Sequence, residues 1–427
     1  MIPAHSLTTT LLVASALLAC APAEVAPPGL EARSTKARIT EAAPLADVEQ
    51  LVRDANTFGF DAARRLTTGD ENLAFSPHSL NTALAMTYPG ARGATRAAFE
   101  RAMRLTLPAE RFHRAMNTLD RALESRGEQA SGRAGKACAL RSNNQVFAQQ
   151  GLPLGADFLD VLAVEYGSGV RQLDFAKASE RSRKAINEWV SINTERLINE
   201  LLPQGVITPD TRLALVNTLY FNAGWKTPFD RANTALGTFT RSDGTSTQVS
   251  YMSGSALEGR RGRLGDVDVL ELPYSGDEVA LLVLVPPAGK LTELEASLDG
   301  PKLAAFVDAL TTPESAVRLP RFEVRSQLRA DEALKAMGLE VAFSPEADFS
   351  GITEAESLSL TAVVHEAVVK TDEDGTEAAA ASAVIAGRTS LPAFFEVNRP
   401  FAFVVRDRAT GAALFIGRVT RPTSAAN

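Results

Sequence analysis

His365 and Glu366 open a pattern that, on a zinc-protease helix, would be completed by a second histidine at position 369. Val369 stands there instead, so the pair is no metal site of that kind. Asp372, Glu373, Asp374 and Gly375 look like the start of a calcium loop. Aligning Gly375 with the glycine of such a loop puts Lys370 at the first ligand position and Ala381 at the last, and neither side chain binds calcium. The chain has only four histidines, His5, His78, His113 and His365, which nearly excludes a multi-histidine centre. No G-x-S-x-G elbow, phosphate-binding loop or dinucleotide fingerprint occurs. A hydrolytic triad would need His365 beside a serine and a carboxylate. It lies in an apolar, strand-like run, where a hydrogen-bonded core histidine is the better reading. The sequence is therefore read as no enzyme, with no cofactor and no metal.

The most informative segment is 371–392, TDEDGTEAAAASAVIAGRTSLP. Propensity alone makes residues 376–386 a helix, since Ala is the best helix former. The flanks favour an extended reading: VVHEAVVK before it is strand-like, and AGRTSLP after it is a loop. At period two, Thr376, Ala378, Ala380, Ser382 and Val384 share one face, all small or β-branched and none charged. That face could be buried within a sheet without desolvating a charge. The opposite face carries Glu377, Ala379, Ala381, Ala383 and Ile385.

These residues sit in a chain of 427, 45% hydrophobic and 22% charged, an ordinary globular composition. Its 44 Lys and Arg against 51 Asp and Glu give a formal net charge of −7, which argues against a nucleic-acid partner. Two cysteines make no disulfide framework. Residues 7–19 form an apolar run too short to span a bilayer, leading into Leu17-Leu18-Ala19-Cys20. That ending is similar to the lipobox of bacterial lipoproteins, in which the cysteine becomes the acylated first residue. The preceding MIPAHS lacks the usual Lys or Arg, so an ordinary signal peptide cut near Ala19 or Ala21 stays open. Residues 1–19 are read as a signal peptide and 20–45 as lipidated Cys20 plus a flexible Ala/Pro-rich tether. Cys138 is then the remaining thiol, read as buried and structural.

From residue 46 to 427 the pattern is one mixed domain. Leu45, Val48, Leu51, Val52, Ala55 and Phe58 recur at helical spacing. Residues 77–88, 93–104 and 179–202 read as further helices, with Pro77 suited to a first turn. Continuous apolar runs at 213–221 and 279–286 predict strands covered on both faces. Residues 317–324, 360–370, 401–407 and 412–420 add others, with a turn at 409–411. Early helices and late strands indicate an α+β fold with large mixed sheets.

The stretch EDGTEAAAAS (373–382) closely resembles the hinge of inhibitory serpins. Further blocks carry the resemblance in the family's order: NLAFSPHSL (72–80), ALAM (83–86) and GARGAT (90–95), then LVNTLYFNAGWKTPF (215–229). LPRF (319–322), LEVAF (339–343), ADFSGI (347–352), NRPF (398–401) and LFIGRV (414–419) complete it. Only the first 45 residues fall outside.

The resemblance implies a serpin fold, helices around large mixed β-sheets with an exposed reactive-centre loop. It implies an irreversible serine-protease inhibitor: the protease acylates itself on the loop, and the cut loop enters the central sheet as an added strand, the family's known behaviour. The hinge is then Glu373, Gly375, Thr376, Glu377, Ala378, Ala379, Ala380, Ala381 and Ser382. Counting by the family's spacing places the reactive bond at Thr389–Ser390, suited to elastase-, subtilisin- or chymotrypsin-like proteases. A shift of one gives Arg388–Thr389 and a trypsin-like target. Ser76, Ser79, Asn217 and His365 match the shutter cluster beneath the sheet, and Trp225, Arg321 and Glu373 match the breach at its top. Glu366 departs from a frequent basic residue. The expected partners are a covalently held protease and a membrane reached through Cys20, outside a bacterial cell, with the chain a monomer. A non-inhibitory serpin-fold binding protein and an inhibitor of papain-like cysteine proteases are the alternatives.

Overall fold

Successive residues of the apolar runs go to opposite faces of one sheet, as the alternation of a strand requires. Val146, Leu213, Leu215 and Val363 enter the main core, while their neighbours Phe147, Ala214, Val216 and Val364 enter a smaller second one. The computed structural model describes residues 25–126, 139–361, 363–376 and 394–422. Its central sheet runs Leu30–Ala32, Val170–Leu173, Ala139–Gln149, Leu213–Gly224, Val363–Asp372, Phe322–Arg329. The two-residue strand Gly375–Thr376 lies between Leu213–Gly224 and Val363–Asp372 at one end.

A second seven-stranded sheet includes Val267–Pro273, Val279–Val285, Phe401–Asp407 and Ala413–Val419, and closes on the short strand Leu73–Phe75. Residues of both large sheets and of helices Leu45–Leu66 and Pro77–Thr87 share the main core. Burial on two faces explains the unbroken Val/Leu runs. A four-stranded sheet, Phe395–Glu396, Val317–Pro320, Ser246–Gly254 and Ala235–Thr240, completes the β structure described.

Helix Pro77–Thr87 begins with Pro77 in its first turn, and the Ser76 hydroxyl caps it by accepting from the Ser79 N–H at 3.0 Å. Every residue of this helix is buried, which sets it under the central sheet. Helix Phe175–Asn193 starts where the Asp174 carboxylate accepts from the Lys177 N–H. It covers the sheet's other face through Ile186, Trp189 and Val190.

Three sequence expectations change. The helix expected over 179–202 ends at Asn193, because Glu195 and Arg196 adopt positive φ (50° and 63°), a left-handed pair that an α-helix does not contain. Ile198 and Leu201 still bury in the second core, from a non-helical segment. The run 317–324 is two strands in different sheets: Val317–Pro320 pairs with Ser246–Gly254, and the chain crosses at Arg321 into Phe322–Arg329 of the central sheet. Residues 25–44, expected as free tether, lie on the domain. Leu30–Ala32 forms the sheet's edge strand, antiparallel to Val170–Leu173. The Val25 carbonyl accepts from the Trp189 indole at 2.8 Å and from Asn193 Nδ2 at 3.0 Å. The segment's composition hid backbone bonding that needs no apolar period.

Candidate functional site

The two central strands Leu213–Gly224 and Val363–Asp372 pair in parallel only from Leu215↔Val363 to Thr218↔Glu366. At the far end Gly375–Thr376 turns back between them, antiparallel to both, with Thr376 opposite Ala223 and Thr371, and Gly375 opposite Gly224 and Asp372. The sheet is therefore closed at its lower half and wedged at its tip by the first two residues of the Ala-rich segment. Gly375 has φ +147°, and a Cβ there would lie 2.1 Å from the Ala223 carbonyl oxygen, so only glycine makes this approach.

Thr376 is buried, and its hydroxyl lies 2.8 Å from that of Tyr274. The Tyr274 ring stacks on Trp225 (centroids 4.6 Å apart, 5° between planes) and meets Phe221 edge-on at 5.0 Å. Trp225 holds the turn before Gly375 at two points: its indole N–H donates to the Asp372 carbonyl at 2.8 Å, and its backbone N–H donates to that of Asp374 at 2.9 Å. The Phe229 N–H donates to the Glu373 carbonyl at 2.9 Å.

The Glu373 side chain is fully buried. Arg321 Nε donates to its Oε1 at 2.8 Å, and the Thr234 hydroxyl donates to the same oxygen. The Arg231 guanidinium stands 4.0 Å from Oε2. Burial works to raise this carboxyl's pKa, but the bonds from Arg321, Thr234 and backbone outweigh it and hold the group below the usual range. A charged, clamped carboxylate thus pins the base of the segment.

Midway down the sheet, at its closed rungs, His365 bridges helix and strand. The Ser76 N–H donates to His365 Nε2 at 3.0 Å, so the ring proton sits on Nδ1 and is donated to Asn217 Oδ1 at 2.8 Å. The Ser79 hydroxyl also donates to Asn217 Oδ1, at 3.3 Å. Burial pushes His365 down to about 4, keeping it neutral. Its ring nitrogens are satisfied by an amide and a backbone N–H, the arrangement of a structural histidine.

A family model described as Serpin (serine protease inhibitor) matches residues 53–422. The chain belongs to the serpin family. This serpin is 32% identical over 374 residues to an uncharacterized serpin-like protein of Methanosarcina acetivorans, covering 86% of this chain and 85% of the relative. It is 34% identical over 360 residues to mouse antithrombin-III, covering 83% and 77%. Among solved structures, native tengpin, a thermophilic serpin, superposes with a TM-score of 0.81 at 24% identity over 92% of this chain and 99% of that one. The fold is the serpin fold.

In this serpin, Ser76, Ser79, Asn217 and His365 come together as one buried cluster. Trp225, Arg321, Glu373, Gly375 and Thr376 gather at the sheet tip. Glu377, Ala378, Ala379, Ala380, Ala381, Ser382, Arg388, Thr389, Ser390, Cys20 and Cys138 lie outside the described residues. Sequence reading missed Tyr274, Thr234 and Arg231. Tyr274 stands 102 residues from its partner Thr376, and no local spacing rule connects them. Glu366, the departure from the family pattern, is buried on the sheet's opposite face and accepts from Arg325 at 2.8 Å. Burial raises its pKa, and Arg325 works against that rise.

Proposed function

We propose that this serpin is an irreversible, suicide-substrate inhibitor of serine proteases. The observation that carries this reading is the position of Gly375 and Thr376, which sit at the tip between two strands that pair with each other only further down, from Leu215↔Val363 to Thr218↔Glu366. Strand addition then begins from a formed rung and proceeds by parting four closed ones. Carried seven rungs on from Gly375↔Gly224, the same antiparallel register sets Ser382 opposite Asn217. Even-numbered residues 378–384 then face the main core, and all are small or uncharged.

In this account the protease serine attacks the Thr389 carbonyl, the Thr389–Ser390 peptide bond breaks, and a new amino terminus leaves at Ser390. The ester that remains carries the enzyme along as the strand enters. Roughly ten new ladder bonds at about 1 kcal/mol each approach the stability of an ordinary domain, about 5–15 kcal/mol. Insertion must outrun hydrolysis of the ester. A Thr before the cut suits elastase-, subtilisin- or chymotrypsin-like enzymes, and cutting at Arg388–Thr389 instead assigns a trypsin-like one. Lipidation at Cys20 places the inhibitor on the outer side of a bacterial envelope, and cleavage as an ordinary signal peptide would release it.

The test is incubation of the soluble domain with elastase-like, subtilisin-like and trypsin-like proteases. A complex that survives boiling in detergent, with its cut site read by mass spectrometry, is the expected outcome. Clean cleavage without complex by every protease would leave a non-inhibitory binding protein.

A further inference from the structure

Tyr274 is held by contacts outside the hinge segment. Its backbone N–H donates to the Val279 carbonyl at 2.9 Å, it bridges to Trp225, and its ring is held between Trp225 and Phe221. The ring is fully buried, and its hydroxyl meets the Thr376 hydroxyl, itself buried, at 2.8 Å. Thr376 is the last described residue before the segment that must enter the sheet. Removing either hydroxyl takes this buried hydrogen bond from the other, at the cost of one bond.

We propose that Tyr274 is a positioning residue for the trapping reaction: its hydroxyl holds Thr376 in the top rung, so that strand addition starts from a nucleus already made. This inference rests on the reading of the chain as a protease trap. The bond that the protease cuts lies thirteen residues beyond Thr376 in the preferred assignment, so Tyr274 acts on the fate of the acyl-enzyme and leaves the protease's first attack alone. Without the bond, the hinge leaves the rung more often. The race then tilts toward hydrolysis, with the ester cleaved and the inhibitor spent as substrate.

The experiment is a double-mutant cycle with Tyr274→Phe and Thr376→Val, each removing one hydroxyl while keeping bulk and, for Phe, the stack on Trp225. The readouts are the number of inhibitor molecules consumed per protease trapped, the association rate constant and the melting temperature. Each single variant is expected to raise consumption about three- to tenfold, the range of one hydrogen bond, with the association rate within about twofold of the parent. The double variant is expected to match the singles, and Thr376→Ser, which keeps the hydroxyl, to lie nearer the parent than Thr376→Val. A merely structural tyrosine would lower the melting temperature and leave consumption per trapped protease unchanged. That result, or additive effects in the double variant, overturns the inference while the parent still traps protease. A parent that forms no complex overturns the trap reading itself, and this inference with it.

Discussion

His365 and Asn217 face each other across the parallel pair of central strands, and their side chains are joined by a 2.8 Å hydrogen bond. The bond crosses the rung that an incoming strand must part. Its donor is the proton on Nδ1, because Nε2 is occupied by the Ser76 N–H.

That arrangement has a pH signature. The folded-state pKa is about 4, below the ordinary 6.5, so the unfolded chain takes up a proton first. The stability contributed by neutral His365 is complete above about pH 6.5 and is lost as pH falls toward 4. His78, also pushed to about 4, and His113, to about 3, add in the same direction, burial being the main cause in each. A tenfold change in proton affinity corresponds to about 1.4 kcal/mol, so His365 alone accounts for up to about 3 kcal/mol. Melting temperatures of the parent should fall between pH 7 and pH 4.5, and His365→Gln should show a shallower fall. Parallel pH profiles in the two proteins would exclude the assignment.

Replacing Thr376 by Arg asks the sheet to take in a cation at a position 2% exposed beside Tyr274. An unpaired buried charge costs several kcal/mol, so the hinge stays out. Gel analysis with a protease that the parent traps should show Thr376→Arg cut at the same bond, with the covalent band gone. A persisting band would mean that this residue need not enter the sheet.

Glu373→Gln leaves the guanidinium groups of Arg321 and Arg231 beside a neutral amide. Breaking a buried pair costs about 3–5 kcal/mol. Arg321 is partly solvated, with 29% of its side chain exposed, so about 2 kcal/mol is expected here. Thermal unfolding should show a fall of a few degrees, and an unchanged curve would show that the clamp contributes nothing.

Much of this was legible in the chain itself. The apolar runs at 213–221 and 279–286 required strands covered on both faces, and the strands are so covered. The glycine at 375 stood where a side chain would strike Ala223. The block 215–229 held Asn217 and Trp225, and the family resemblance added His365. Other features depend on contacts distant in sequence. Ile198 and Leu201 lie within the helix expected over 179–202 and still bury, yet two left-handed residues end the helix before them. Arg321 carries the chain from one sheet to another within a run that reads as one strand. Thr376 meets Tyr274 from 102 residues away.

Residues 25–32 show the same limit and supply another test. Their backbone meets the side chains of Trp189 and Asn193 and pairs with the strand Val170–Leu173. Deleting residues 1–32 turns Val170–Leu173 into an exposed edge strand and leaves the indole N–H without its acceptor. A melting temperature lowered by several degrees is expected, with faster amide exchange in Val170–Leu173. An unchanged protein would mean that the segment is the loose tether its composition resembles.

The central claim is that the Ala-rich segment becomes a strand once cut. Its most direct test is to nick the purified protein near Thr389 with a protease that does not remain bound, and to compare melting temperatures. The nicked form is expected to melt tens of degrees higher, with amides of residues 377–386 protected from exchange. A nicked form that melts with the intact protein, its segment still exchanging freely, would contradict the account.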